Sequence, residues 1–210
     1  YTNSLDYRIK IQPPSGWLEK GGVRSLLGRF SSVTSWDIRK RISDSRLAAR
    51  TLPMTKVDDS HLLSLNENLR STLFFNRSST AFGADLGFRR IHRKQLLNRG
   101  FEERQRAAYL LNLRWNLNRQ WGLRWEGESG QETQLLDFSE KEELPNGRNF
   151  QIHYYELTPE VSWQPNMNTR LTTRYSHAHR QNLVNLQAEN ESEVALQHVL
   201  GLELRMNKMM

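Results

Sequence analysis

The chain has 210 residues, a formal net charge of +7, a mean hydropathy of −0.74 and no cysteine. Without cysteine, a disulfide framework and a thiolate metal site are excluded. No stretch approaches the roughly 18 consecutive apolar residues that a membrane-spanning helix needs.

The positive charge does not gather in one tract. Basic residues run from Arg8 to Arg205 and alternate with apolar ones. A nucleic-acid-binding protein usually carries a clustered basic patch, whereas arginine spread over one face of many strands is typical of a charged lumen. We therefore expect no nucleic acid among the partners.

Apolar residues at every second position dominate the chain, and this period predicts β-strands. Nine such runs follow one another. In chain order they are Leu5, Tyr7, Ile9 and Ile11; Phe30, Trp36, Ile38 and Ile42; Leu63, Leu65, Leu69, Leu73 and Phe75; Phe82, Ala84, Leu86 and Phe88; Tyr109, Leu111, Leu113, Trp115 and Leu117; Leu123 and Trp125; Tyr155, Leu157, Val161 and Trp163; Leu171, Thr173 and Tyr175; and Val194, Leu196, Leu200, Leu202, Leu204 and Met206. Read alone, 102–111 also fits a helix.

Short and long connections alternate between the predicted strands. The short ones, 76–79, 118–120 and 165–168, are rich in the Asn, Ser and Pro of tight turns. The long, polar ones are 43–61, 89–104, 126–150 and 177–192, and 13–25 is the exception to the alternation. Outer-membrane barrels have short turns on one side of the membrane and long loops on the other. The alternation therefore favours a barrel over a soluble sandwich.

Three of the predicted hairpins can be aligned from the sequence. Placing Phe75 opposite Thr80 brings Arg70 opposite Asp85. Placing Trp163 opposite Leu171 brings Glu160 opposite Arg174, and Leu113 meets Trp125 in the third hairpin. Opposite charges that face each other across strands stabilise a sheet. We therefore predict Arg70, Asp85, Glu160 and Arg174 as charge pairs of a watery lumen.

The opposite face of these strands is predicted to contact lipid. It carries Leu113, Trp115, Leu171, Leu200 and Leu202, with further Trp and Tyr residues near the ends of the runs, as at a headgroup boundary. Arg114 and Glu203 belong with the lumen residues. The fold class predicted is thus all-β, an antiparallel up-and-down meander that forms a transmembrane β-barrel or a segment of a larger one. We expect one domain over 1–210, and a fragment of a longer chain, because Tyr1 is not an initiator and no leader follows it.

Four segments carry a resemblance to a known group of proteins. They are Ser71–Arg77, Arg104–Arg114, Leu157–Pro165 and Thr169–Tyr175. In pattern and short phrases they resemble the C-terminal barrel repeats of large uncharacterised outer-membrane β-barrel proteins of the Bacteroidota. The resemblance implies a surface-exposed barrel in the bacterial outer membrane and implies no catalytic residues.

Chemistry-bearing motifs are sparse. His177 and His179 have a spacing at which a third ligand, such as His153 or Glu156, would complete a metal site. A polar rim where a strand leaves the membrane is the preferred interpretation of the two histidines. The acidic runs 140–143 and 189–193 lack the ligand spacing of a calcium loop. We expect no enzyme, no catalytic residues, no cofactor and no metal.

The sequence therefore predicts a wall segment that contributes strands and surface loops to a pore, transport or surface complex. Its partners would be outer-membrane lipid and other subunits of that complex. The alternative is a soluble all-β binding module, either a lipocalin-like carrier or a basic nucleic-acid binder.

Overall fold

In the computed structural model the chain forms one antiparallel sheet of nine strands. The structure describes residues 1–14, 16, 25, 27–50, 52–53, 56–98, 100–138, 149–166, 168–182 and 194–206. The strands are β1 (Thr2–Ile11), β2 (Phe30–Ile42), β3 (Leu62–Phe75), β4 (Phe82–Leu97), β5 (Gly100–Asn116), β6 (Trp121–Phe138), β7 (Phe150–Asn166), β8 (Thr169–Asn182) and β9 (Val194–Met206). A short helix, α1 (Ser45–Arg50), and a 3-10 turn, Asp59–His61, lie between β2 and β3.

Each strand pairs with the next one along the chain, and every pairing is antiparallel. The predicted nine-stranded up-and-down meander is confirmed, and each of the nine alternating runs lies in a strand except for Leu117, which follows the end of β5 at Asn116. The segment 102–111 is part of β5, so the helical interpretation is wrong. The strands β1 and β9 are the two edges of the sheet and are not paired with each other.

Several strands are longer than predicted. The strand β4 continues to Leu97 and β5 begins at Gly100, so the long loop predicted at 89–104 is a two-residue connection. Likewise β6 extends to Phe138 and β8 to Asn182, and the rest of those two predicted loops, 139–148 and 183–193 with both acidic runs, lies outside the described residues. The prediction ended each strand where apolar alternation ended. A strand with two polar faces carries no such signal, although its backbone pairs equally well.

The hairpin between β3 and β4 corrects one predicted register. Its connection has six residues, 76–81, because Asn76 adopts a left-handed φ of 55° and its side-chain amide donates to the carbonyl oxygen of Phe82 at 2.9 Å. Phe75 consequently lies opposite Ala84, four positions from the prediction. An even shift leaves every side chain on its predicted face. The registers predicted for β5–β6 and β7–β8, with Leu113 opposite Trp125 and Trp163 opposite Leu171, are confirmed.

The sheet has very little interior. In the described part of the chain the buried apolar residues are Ile38, Ile42, Leu62 and Ala108. The accessible surface is 15931 Å², against about 10,000 Å² for a folded soluble monomer of the same mass. Both faces of this single layer of strands are exposed, so either face can contact a partner or a solvent.

Candidate functional site: two faces of one sheet

Cross-strand registers assign every described strand residue to one of two faces, because residues directly opposite each other point to the same side. One face carries Leu113, Trp115, Leu171, Leu200 and Leu202, and we call it the apolar face. We call the charged face the one that carries Arg70, Arg114, Glu160, Arg174 and Glu203. The two sets keep to opposite sides through all nine strands.

Large apolar side chains are exposed almost entirely on the apolar face. Leu200 and Leu202 are 75% and 73% exposed, and Tyr109 is 64% exposed. Among the exposed large apolar side chains of the described strands, only Val199 lies on the charged face. An exposed apolar surface that extends over a whole sheet marks contact with another apolar phase or a partner.

Two rows of aromatic side chains cross the apolar face. The first runs along the ends of the strands next to the short turns and consists of Phe30, Phe75, Phe82, Trp115, Trp121 and Trp163. Three pairs of its rings are in contact, with centroids 4.9 Å apart for Phe30 and Phe75, 6.2 Å for Phe75 and Phe82, and 5.9 Å for Trp121 and Trp163. The second row consists of Tyr7, Trp36, Phe88, Tyr109, Tyr155 and Tyr175.

The rows are six residues apart on β5, from Trp115 to Tyr109, and eight apart on β7, from Trp163 to Tyr155. Six to eight strand residues span about 20–26 Å. Between the rows, no described residue of the apolar face is Asp, Glu, Lys or Arg. The apolar face therefore contains an uncharged band with an aromatic row along each border.

Charge returns on this face directly beyond the second row. The carboxylate of Glu103 lies 2.9 Å from His92 Nε2, and Glu67 lies 3.8 Å from His92 Nδ1. Glu67 also accepts a hydrogen bond from Trp36 Nε1, and Lys94 pairs with Asp59 at 2.7 Å. Charged residues therefore begin directly at the border of the uncharged band that the second aromatic row forms.

The charged face holds a network centred on Glu128. Its Oε1 accepts hydrogen bonds from Arg106 at 2.9 Å, from the Tyr154 hydroxyl at 2.8 Å and from Arg89 at 3.2 Å. Arg106 Nε in turn donates to Tyr154 Oη at 2.9 Å. Only a quarter of the Glu128 side chain is exposed, so the cations compensate a carboxylate that is largely withdrawn from water. Sequence reasoning did not identify this network, whose members come from four different strands.

Glu160 and Arg174 are direct cross-strand neighbours, as the sequence predicted. Arg174 Nε and a terminal nitrogen donate to Glu160 Oε2 at 3.0 and 2.5 Å. Together with Arg170, Glu203 and Arg205 they line a shallow depression on the charged face near β9.

The second predicted pair is wrong. In the observed register Arg70 lies opposite Arg89, and Asp85 lies opposite Phe74 and Asn112. The longer turn at 76–81 moves the partner of Arg70 by four positions, so Asp85 no longer reaches it. The prediction assumed a four-residue connection at 76–79, whereas the observed connection has six residues, 76–81.

His177 and His179 lie on the apolar face at the level of the second aromatic row, opposite Leu157 and Tyr155. His179 stacks on Tyr155 with ring centroids 5.0 Å apart, whereas His177 faces His198 of β9. The proposed third ligands do not join them, since His153 lies opposite Gln181 and Glu156 is on the charged face. Within the described ranges there is no group of three or more His, Asp or Glu side chains that could hold a metal.

Comparison of the chain with protein-family models, with curated proteins and with solved structures finds no match. No helix in the described part of the chain is long and apolar enough to cross a membrane. The two faces of the sheet are therefore the features that bear on function.

Proposed function

We propose that this chain forms part of the wall of a bacterial outer-membrane β-barrel and contributes strands and loops to a pore, transport or surface complex. The apolar face contacts lipid, and the charged face lines a watery lumen. Closure of the wall requires partners for the edges β1 and β9, supplied by further strands or other subunits.

The uncharged band on the apolar face is the observation that carries this proposal. Transmembrane barrels have an outward apolar band about 25 Å tall with an aromatic girdle at each border. The two aromatic rows are about 20–26 Å apart along the strands, and a strand tilt of about 35–45° would reduce this to a height of about 14–21 Å, of the same order as that band. An arginine or lysine at mid-membrane costs about 2–4 kcal/mol, which gives a physical reason for the complete absence of charge between the rows in the described strands.

The charged face suits a lumen for a different reason. Its carboxylates and guanidinium groups alternate and pair, as in Glu160–Arg174 and Arg124–Glu126. Charges in a water-filled channel keep their hydration or a partner, and the wall can therefore carry them at mid-membrane depth. A soluble sandwich or carrier would instead bury its apolar face under a second layer, and no described residue contributes one.

Partitioning distinguishes the membrane wall from the soluble binding module. The folded chain should remain with detergent or lipid vesicles and should precipitate or associate when detergent is removed. Recovery as a folded monomer in aqueous buffer would contradict the membrane proposal and favour the soluble alternative.

A matched pair of substitutions on β5 tests which face meets lipid. Leu113 is on the apolar face between the aromatic rows, and Asn112, one residue earlier, is on the charged face between Asp85 and Glu126. Leu113→Arg should reduce assembly into vesicles strongly, by about 2–4 kcal/mol in folding free energy. Asn112→Arg introduces the same side chain beside two carboxylates and should assemble like the unmodified chain. Equal loss in the two variants would rule out a lipid-facing role for the apolar face.

A further inference from the structure

The imidazoles of His177 and His198 lie side by side on neighbouring strands. They are directly opposite each other in the β8–β9 register, with ring centroids 4.7 Å apart. Their Nδ1 atoms are 3.4 Å apart. The two residues are 21 positions apart in the chain, so only the strand pairing brings them together.

This nitrogen separation is the one that a tetrahedral metal ion needs. Zinc binds imidazole nitrogen at 2.0–2.1 Å, and two such ligands at the tetrahedral angle are about 3.3–3.4 Å apart. An ion between the two Nδ1 atoms would therefore need little rearrangement of the backbone or the rings. Water would complete the coordination.

The surroundings of His177 favour the same role. Tyr155 Oη lies 3.3 Å from His177 Nε2 and can accept its hydrogen. A proton on Nε2 leaves the lone pair of Nδ1 free to bind a metal. A metal-binding histidine usually donates its other ring N–H to an acceptor, which fixes the tautomer and the orientation of the ring. The phenol of Tyr175 lies 2.6 Å from His198 Nδ1, and an incoming ion would replace that hydrogen bond.

We propose that His177 and His198 form a binding site for a single borderline divalent metal ion such as Zn²⁺ or Cu²⁺. Imidazole suits these ions, whereas Mg²⁺ and Ca²⁺ select oxygen ligands. The two rings lie at the level of the second aromatic row and His198 is exposed, so water at this border of the uncharged band can deliver the ion to them. The site does not depend on the proposed membrane function.

The test is a titration of the whole folded chain with zinc chloride and copper sulfate, followed by calorimetry. We expect one ion per chain, with Cu²⁺ bound more tightly than Zn²⁺, and no binding of Mg²⁺. His177→Ala and His198→Ala should each abolish this binding. His153→Ala, on the same face but away from the pair, should leave it unchanged. Circular dichroism of each variant checks that the sheet is intact.

A second variant separates coordination from a loss of fold. Tyr155→Phe keeps both imidazoles and removes only the acceptor at His177 Nε2, so Zn²⁺ affinity should fall by about tenfold. Binding should also weaken in acid, because a protonated imidazole cannot coordinate a metal. Failure of the unmodified chain to bind either ion, or unchanged binding in His177→Ala and His198→Ala, would overturn the proposal.

Discussion

At the scale of single residues, Gly130 shows how closely the charged face is packed at the Glu128 network. A Cβ on Gly130 would meet the backbone oxygen of Ala107, with Tyr154 Oη at 2.9 Å and the Cα of Ala108 at 3.0 Å. Tyr154 lies directly opposite Gly130 and uses the same hydroxyl to bond Glu128. The missing side chain of Gly130 is therefore what allows Tyr154 to lie across β6.

We expect Gly130→Ala to lower the free energy of unfolding by about 1–3 kcal/mol, the usual cost of overpacking a filled position. Gly201→Ala is the matched control. It is also in a strand and on the charged face, but its new Cβ would meet only the backbone oxygen of Arg174, at 3.9 Å. Urea unfolding in detergent measures both variants. A loss of similar size in Gly201→Ala would show that the effect comes from strand glycine in general.

At the scale of elements, the short turns hold the first aromatic row in place. In the connection between β5 and β6, Asn118 Oδ1 accepts hydrogen bonds from the backbone nitrogens of Gln120 and Trp121, both at 2.8 Å. Trp121 begins β6 and stacks on Trp163 of β7. One side-chain oxygen therefore links the turn to the border of the uncharged band.

Asn118→Ala should destabilise the chain by about 1 kcal/mol, because two backbone donors lose their acceptor. Asn118→Asp retains an oxygen at the same position and should lose only a few tenths of that amount. The midpoint of urea unfolding, followed by the fluorescence of the six tryptophans, gives the comparison. Identical midpoints for the alanine and aspartate variants would contradict this role of the side-chain oxygen.

At the scale of the whole molecule, the separation into two faces matters more than any single site. The accessible surface exceeds that of a soluble monomer of this mass by roughly half. The apolar face is uncharged between its two aromatic rows in the described strands, and the charged face carries paired charges. Under the proposed function, the two faces meet different solvents.

The absence of cysteine allows the environment of each face to be tested directly. Single cysteines at Leu111 and Val161 would lie on the apolar face between the aromatic rows, and single cysteines at Asn112 and Ser162 on the charged face one residue away. In lipid vesicles, a water-soluble maleimide should label the two charged-face cysteines and spare the two apolar-face ones. All four should react in denaturant, which serves as the control. Rapid labelling of the cysteines at 111 and 161 in vesicles would place water on both faces.

Much of the fold could be predicted from the sequence because the signal is local. A period of two residues reports which side of a strand meets an apolar environment, and it needs no knowledge of the partner strand. The nine strands, their order and the face of residues such as Leu113 and Arg114 follow from it. The Glu160–Arg174 pair could also be predicted, since a short connection between β7 and β8, predicted at 165–168, leaves little choice of register.

Which residues lie opposite each other was decided only by the tertiary structure, through strand pairing and turn geometry. The left-handed Asn76 sets the β3–β4 register and separates Arg70 from Asp85. The Glu128 network and the His177–His198 pair join residues from different strands, and alternation within one strand does not reveal which partner lies opposite. The sequence by itself determined the strands and their two faces, because apolar periodicity is a property of each segment. Only the paired sheet decided which charges and imidazoles meet, because backbone hydrogen bonds between strands set those distances.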